Sequence, residues 1–322
     1  MNAAGTFATL PTSLLAGALE PCPPTQYRSV VAEIRGATPA DLDDVYVLLD
    51  ARSRRALGIS EVKLDHLRNR WAQPGFAVGE DNWVAQGAGR IVGYAALDVS
   101  HELEHVASDP SVGDALLARA AERARTRGFA TITLTTVDED EPLRALAARN
   151  DFAPHLEVLR MWRPLNGDLP EPRWPDGVAV RSYDPADARR VHALLDDAYS
   201  GWDDEFIALP HDDWVARVTG DDGFDPDLFL LAERGGELVA CALNWKPFQQ
   251  RGWVKDLVVR VDQRGTGLAK ALLFEGFRRS EAAGASQVGL KSIANNPTGA
   301  VQLYERVGFT TDRRYQIWLK RL

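Results

Sequence analysis

The sequence predicts a mixed α/β protein (α+β, built on a mixed sheet) made of two similar halves in tandem. Three observations carry this. Placing Ile34-Arg35 over Val180-Arg181, an offset of 146 residues, also aligns Pro39-Ala40-Asp41 with Pro185-Ala186-Asp187, Val45 with Val191, and Leu48-Leu49-Asp50 with Leu194-Leu195-Asp196. Each half then alternates short β-rich runs with stretches of helical periodicity. Between the halves lies RPLNGDLPEPRWPDG, residues 163–177, rich in Pro and Gly and lacking periodicity, which reads as a linker. The expected divisions are an arm of unspecified structure over 1–29, a first half over 30–162, the linker, and a second half over 178–322.

The individual elements follow from local chemistry. Each half opens with a short strand and a helix entry, Thr38-Pro39 or Asp184-Pro185, in which a capping side chain precedes a first-turn proline. In the second half DLFLLAERGGELVACALNWKP reads as two strands joined by the Gly235-Gly236 hairpin. WVKDLVVRV is a third strand, and GLAKALLFEGFRRSEAAG a helix ending at Gly284. SQVGLKSI is a strand, TGAVQLYERVGF a helix closed by Gly308, and RRYQIWLKRL the last strand. The first half mirrors this with NWVAQ, GRIVGYAALDV, VGDALLARAAERARTRGF, ATITLTTV, PLRALAARNDF and LEVLRMWRP.

Composition narrows the function. The chain has 322 residues, 45% hydrophobic and 26% charged, the balance of a water-soluble protein with room for two cores. No apolar run approaches the roughly 18 residues of a membrane span, and no basic leader opens the chain, so a cytoplasmic protein without a membrane partner is expected. A net charge of −9 argues against a nucleic-acid partner, since phosphate backbones select basic surfaces. Two cysteines, Cys22 and Cys241, are too few for a disulfide framework and lack metal-ligand spacing.

The most informative stretch is VRVDQRGTGLAKALLFEGF, residues 259–277. A strand delivers the chain to Arg264-Gly265-Thr266-Gly267-Leu268-Ala269 at a helix entrance, where main-chain amides lack partners and the helix dipole is positive. Paired glycines let the backbone bend and approach an oxygen-rich ligand, and Arg264 adds a charged donor. A simple Gly-capped turn explains one glycine but not the pair beside an arginine. A P-loop would need Gly-Lys-Ser/Thr, which is missing. A dinucleotide fingerprint would need a third glycine where Lys270 stands and an acid after the next strand.

Arg264-x-x-Gly267-x-Ala269 after Leu257-Val258-Val259 resembles the acyl-CoA signature of the GCN5-related N-acetyltransferases (GNAT). NNPTGAVQLYERVGF, residues 295–309, is similar to that family's second motif. Residues 178–322 fit the family's element order, and residues 31–164 fit it in outline. The resemblance implies two tandem GNAT-like acyl-CoA N-acyltransferase domains, with acetyl-CoA as co-substrate, a small amine as acceptor, no metal, and a monomer or homodimer. It implies that residues 264–269 cradle the pyrophosphate and that the strand carrying Leu257, Val258 and Val259 offers a free edge to the pantetheine. Asn296 would contact the pantetheine arm and Tyr304 would protonate the leaving thiolate. The last role suits a phenol, a weak acid able to donate to a developing thiolate; the competing role for Tyr304 is a core aromatic beside Leu303 and Val307.

Direct transfer requires a neutral amine, hence a proton acceptor, and a strand amide polarising the thioester carbonyl. Where many relatives carry a glutamate on the strand before the loop, this chain has Trp253 and Lys255, with Asp256 expected on the opposite face and Lys255 expected in solvent. Asp203, Asp204, Glu205 and His211, in a segment that shapes the acceptor pocket of relatives, are candidates, and the base stays unassigned. The two-half plan and the linker also resemble the mycothiol synthase branch, which acetylates a cysteinyl amine; a non-catalytic acyl-CoA binder or sensor is the reading from a different class.

The first half fails the same test. Aligning Leu116-Leu117 with Leu272-Leu273 puts Ser108 at the arginine position, Asp109-Pro110 over Gly265-Thr266, Ser111 over Gly267, and Ala147 at the tyrosine position. A proline removes an amide and an aspartate repels pyrophosphate, so this half is expected to leave CoA unbound, buttress its neighbour and wall the acceptor pocket. HELEH, residues 101–105, matches a zinc-protease pattern with Glu122 as a conceivable third ligand, but Asp109-Pro110 cuts off any helix there, so a zinc site is not expected.

Overall fold

The computed structural model describes residues 32–167, 169–199 and 208–322. Cys22 and the acidic candidates Asp203, Asp204 and Glu205 lie outside them. The strands are β1 (Glu33–Gly36), β2 (Asn82–Gly87), β3 (Arg90–Leu97), β4 (Glu102–Ala107), β5 (Thr131–Val137), β6 (Ala153–Pro164), β7 (Val178–Ser182), β8 (Phe229–Arg234), β9 (Glu237–Phe248), β10 (Arg251–Val259), β11 (Gln287–Ile293) and β12 (Thr310–Arg321). The helices are α1 (Leu42–Leu57), α2 (Leu64–Trp71), α3 (Pro110–Thr126), α4 (Glu141–Arg149), α5 (Ala188–Tyr199), α6 (His211–Thr219), α7 (Leu268–Ala282) and α8 (Ala300–Arg306).

Among the described residues the twelve strands form one mixed sheet in the order β1-β2-β3-β4-β5-β12-β6-β11-β10-β9-β8-β7. Each half contributes five strands in sequence order from an outer edge inward, and at the centre the halves exchange their final strands. The first half's last strand, β6, pairs with β11 through Gln287↔Pro164 to Ile293↔Val158. The second half's last strand, β12, pairs with β5 and with β6. Similar strand endings in both halves were legible in the sequence; which fifth strand each would join is decided by packing.

The repeat extends to an arginine–aspartate pair in each half. Arg35 holds Asp41 through two bonds of 2.7 Å, and Arg181 holds Asp187 at 2.6 and 2.7 Å. Each aspartate also accepts a main-chain amide, from Thr38 or Asp184, closing the same capping box before α1 and α5. The arginine holds the Asp41 carboxyl down at about 2 and lowers that of Asp187 too.

Helices cover the sheet, with α3 and α4 enclosing one first-half core around Leu116, Ile132 and Leu146. In the second half α7 and α8 bury Leu273, Phe277 and Phe309 against β6, β10 and β11, while α5 and α6 pack Leu195 and Trp214 against β8 and β9. The interdomain segment is docked, not loose: Leu165 is buried in the α7 core and bonds the Ser286 carbonyl at 2.8 Å. Among the described residues no helix is long and apolar enough to cross a membrane.

Candidate active site

The sheet opens where the loop was expected to act. Strands β10 and β11 run parallel and pair only from Arg251↔Gln287 to Val254↔Leu290. Beyond that point β10 stays with β9 as far as Val259↔Ala240, while β11 follows β6. One edge of Leu257, Val258 and Val259 is thus left without a strand partner, facing a cavity of about 690 Å³. Its wall includes Arg264, Gly265, Gly267, Leu268, Ala269 and Asn296. Leu156 and Val158 of the exchanged β6 also line it, so the first half supplies part of the second half's cavity.

At the cavity mouth Gly265 and Gly267 have φ of +76° and +89°. Both values lie in the left-handed region that side chains with a Cβ avoid. A Cβ at either position would meet nothing within 4 Å, so the space in front of the turn is open. Gly267 caps α7, whose first-turn amides have no intrahelical acceptor. Thr266 turns its hydroxyl back to the Gln263 carbonyl at 2.8 Å and braces the loop. Arg264 lies exposed at the rim with its Nε 3.3 Å from the Val259 carbonyl.

Tyr304 projects from α8 into the same cavity, 8% exposed, its ring 5.8 Å from that of Phe309. Burial, and then the charge of Asp256, push its phenol up to about 12, so it holds its proton throughout the neutral range. Asn296 accepts the amide and hydroxyl of Thr298 through Oδ1 at 2.9 and 2.5 Å. This turn fixes its side chain at the cavity wall.

A bulge in β10 alters the alternation read from the sequence. Val254 pairs with Asn244 and Asp256 with the adjacent Leu243, leaving Lys255 as the extra residue. Lys255 and Asp256 therefore both line a second cavity of about 390 Å³, which corrects the expectation that they face opposite ways. Lys255 is exposed, as expected, with its Nζ 2.8 Å from Asp256 Oδ2. Tyr199 donates its hydroxyl to Asp256 Oδ1 at 2.6 Å. Burial and the adjacent carboxylate hold the Tyr199 phenol well above its ordinary range.

The second cavity abuts the first, since Leu156, Tyr199, Lys255 and Ile317 line both. It is built from both halves, with His101, Glu102 and Thr135 on one side and Asp196, Trp214 and Arg217 on the other. His211 lines neither cavity. It packs edge-on against His192, 5.6 Å away, with Nδ1 2.7 Å from Asp212. Cys241 is fully buried, and burial pushes its thiol up, leaving it unreactive.

In the first half the corresponding opening is closed by the chain's own groups. Strands β4 and β5 pair in parallel only at Glu102↔Thr133 and Leu103↔Leu134. Two residues on, the His105 carbonyl accepts Arg52 Nη1 at 3.0 Å, while Arg52 Nε reaches Asp140 at 2.5 Å. The Asp109 carboxylate takes the amides of Ser111 and Val112 at the start of α3, occupying the donors an incoming phosphate would use. Ala147 stands fully buried at the tyrosine position. HELEH is not a helix: His101 precedes β4 with φ +60° and bonds Thr131, and His105 lies within β4 with Nε2 3.0 Å from the Gly113 carbonyl. Among the described residues no three His, Cys, Asp or Glu side chains cluster as a metal site would require.

Comparison with known proteins fits this geometry. Residues 189–309 match the acetyltransferase (GNAT) family. A mycothiol acetyltransferase of Streptomyces avermitilis is 32% identical over 87% of this chain and 92% of its own length. A GCN5-related N-acetyltransferase from Sphaerobacter thermophilus superposes with a TM-score of 0.72 at 23% identity, covering 90% of this chain and 95% of that one. A tandem GNAT protein from the clavulanic acid pathway does so with a TM-score of 0.65 at 18% identity, covering 90% and 98%.

Proposed function

The chain belongs to the GNAT family of N-acetyltransferases, and on that premise we propose that it carries acetyl from acetyl-CoA to the primary amine of a small cysteinyl acceptor. The observation that carries this is the opening of β10 from β11 beside the glycine turn, with Tyr304 inside it. The working half is 178–322 and the degenerate half 30–162, joined by 163–177.

Acetyl-CoA supplies an activated thioester; the chain's residues hold and polarise it. Amides of residues 265–269 and the first turn of α7 receive the pyrophosphate, with Arg264 at its edge. The free edge of Leu257–Val259 pairs with the pantetheine amides, and Asn296 contacts the arm. An amide of β10 at the Lys255 bulge polarises the thioester carbonyl, and Tyr304 gives its proton to the departing sulfur.

The acceptor occupies the second cavity. Carboxylates at Glu102, Asp196 and Asp256 suit a cationic amine, and flanking hydroxyl and imidazole groups suit a polyhydroxylated body. The mycothiol acetyltransferase relatives support a cysteinyl amine over a lysine side chain. The test is the rate of CoA release from acetyl-CoA with a cysteinyl amino-sugar glycoside, an aminoglycoside and a lysine peptide. Turnover is expected with the first; turnover with only the others would reject the acceptor, and with none would reject acetyl transfer.

A further inference from the structure

We propose that Asp256, held by the Tyr199 hydroxyl, is the group that takes the proton from the acceptor's ammonium before attack. This rests on the acetyl-transfer reading above and names a residue for the task left open by the sequence. On β10, Trp253 and the bulged Lys255 carry no carboxylate. The extra residue at the bulge turns the next one, Asp256, to the acceptor side.

Among the described residues three carboxylates line the second cavity, and two are otherwise placed. Glu102 accepts the Thr135 hydroxyl at 3.0 Å on the far wall, and Asp196 lies 3.3 Å from His192 on α5. Asp256 alone among them sits on the strand bordering the cofactor cavity, next to Lys255, which lines both. Its side chain is only 11% exposed. Tyr199 and Lys255 fix its two oxygens at 2.6 and 2.8 Å, so it is aimed without being capped on every lone pair.

Charged and polar groups surround it. Lys255 pairs with the carboxylate from its own strand, Tyr199 donates from α5, and Arg217 of α6 shares the cavity. Tyr304 of α8 and Cys241 of β9 feel its negative charge, which helps keep both protonated. Across the cavity stand His101, Glu102 and His155.

The protons then balance. The ammonium gives one proton to Asp256, and the neutral nitrogen attacks the thioester carbonyl. The carbon–nitrogen bond forms, the carbon–sulfur bond breaks, and the thiolate takes the Tyr304 proton. The second nitrogen proton leaves as the amide forms and restores Tyr304 through solvent, while Asp256 releases its own to water. The sum is one amide, one CoA thiol and one proton.

The test compares wild type, Asp256→Asn and Tyr199→Phe in kcat/KM against pH, with acetyl-CoA affinity measured by calorimetry. At neutral pH Asp256→Asn should lose about 10²–10³-fold in kcat/KM, with acetyl-CoA affinity kept within about threefold. The deficit should narrow as pH rises, because a free amine needs no base. Tyr199→Phe keeps the carboxylate but removes the donor that aims it, so it should lose part of kcat with acetyl-CoA affinity kept. If Asp256→Asn fails to fold, that loss of kcat decides alone. Near-wild-type activity in Asp256→Asn, a deficit constant across pH, or an unchanged kcat in Tyr199→Phe would overturn the assignment. A wild-type protein inactive with every amine would overturn the acetyl-transfer reading and this with it.

Discussion

The hydroxyl of Tyr199, at the end of α5, lies 2.6 Å from Asp256 Oδ1 on β10. That bond crosses 57 residues of sequence and ties the helix that opens the second half to the strand that borders the cofactor cavity. The two cavities meet at this point, through Tyr199 and Lys255.

Tyr304 supplies the first prediction. Its phenol, pushed up to about 12 by burial, keeps its proton well past neutrality. Tyr304→Phe should lower kcat about 10²-fold while leaving acetyl-CoA affinity nearly unchanged, since the hydroxyl acts on the leaving thiolate. In the wild type no fall in kcat from this group is expected below about pH 10, the ordinary tyrosine value. Steady-state kinetics across pH check both.

Stability toward acid should depend on His105. The residue is 3% exposed, and burial lowers its pKa to about 4 from the ordinary histidine value of about 6.5. The unfolded chain therefore binds a proton that the folded chain refuses between those two values. Stability should be full above about pH 6.5 and be lost progressively toward pH 4. His105→Gln, which can keep a bond to the Gly113 carbonyl, should flatten the fall in Tm between pH 7 and pH 5. An equal fall in the variant would place the effect elsewhere.

Gly289 makes the exchanged strand possible. A Cβ there would come within 2.7 Å of the rings of both Trp162 on β6 and Trp253 on β10. Those rings meet edge to face at 5.6 Å over β11. Gly289→Ala must spread them, at a cost of about 1–3 kcal/mol, seen as a lower denaturation midpoint. Because β10 and β11 part only one residue further on, acetyl-CoA affinity should fall as well.

Much of this was legible in the sequence because it is local. Thr38-Pro39 and Asp184-Pro185 cap helices through their own side chains, and Gly265 and Gly267 declare a left-handed turn wherever the chain goes. The HELEH stretch could be denied a helix from Asp109-Pro110 alone. Long-range features were not legible. Nothing within β6 or β12 says that each joins the other half. The Lys255 bulge appears only when β10 is laid against β9, and it reverses the side that Asp256 faces. Helices α2 and α6 are eight and nine residues long, too short for periodicity to distinguish them from loops. Strand β4 went unplaced among the first-half elements because its alternation sets Leu103 against charged and imidazole neighbours.

The most direct measurement is a calorimetric titration of acetyl-CoA into the wild-type chain and into Gly267→Val. Position 267 has φ +89°, and an added side chain would enter the open space before the turn. One site per chain, lost in the variant, is the predicted result, since Asp109 and Arg52 close the first half. Two sites per chain, or binding unchanged by the substitution, would contradict it.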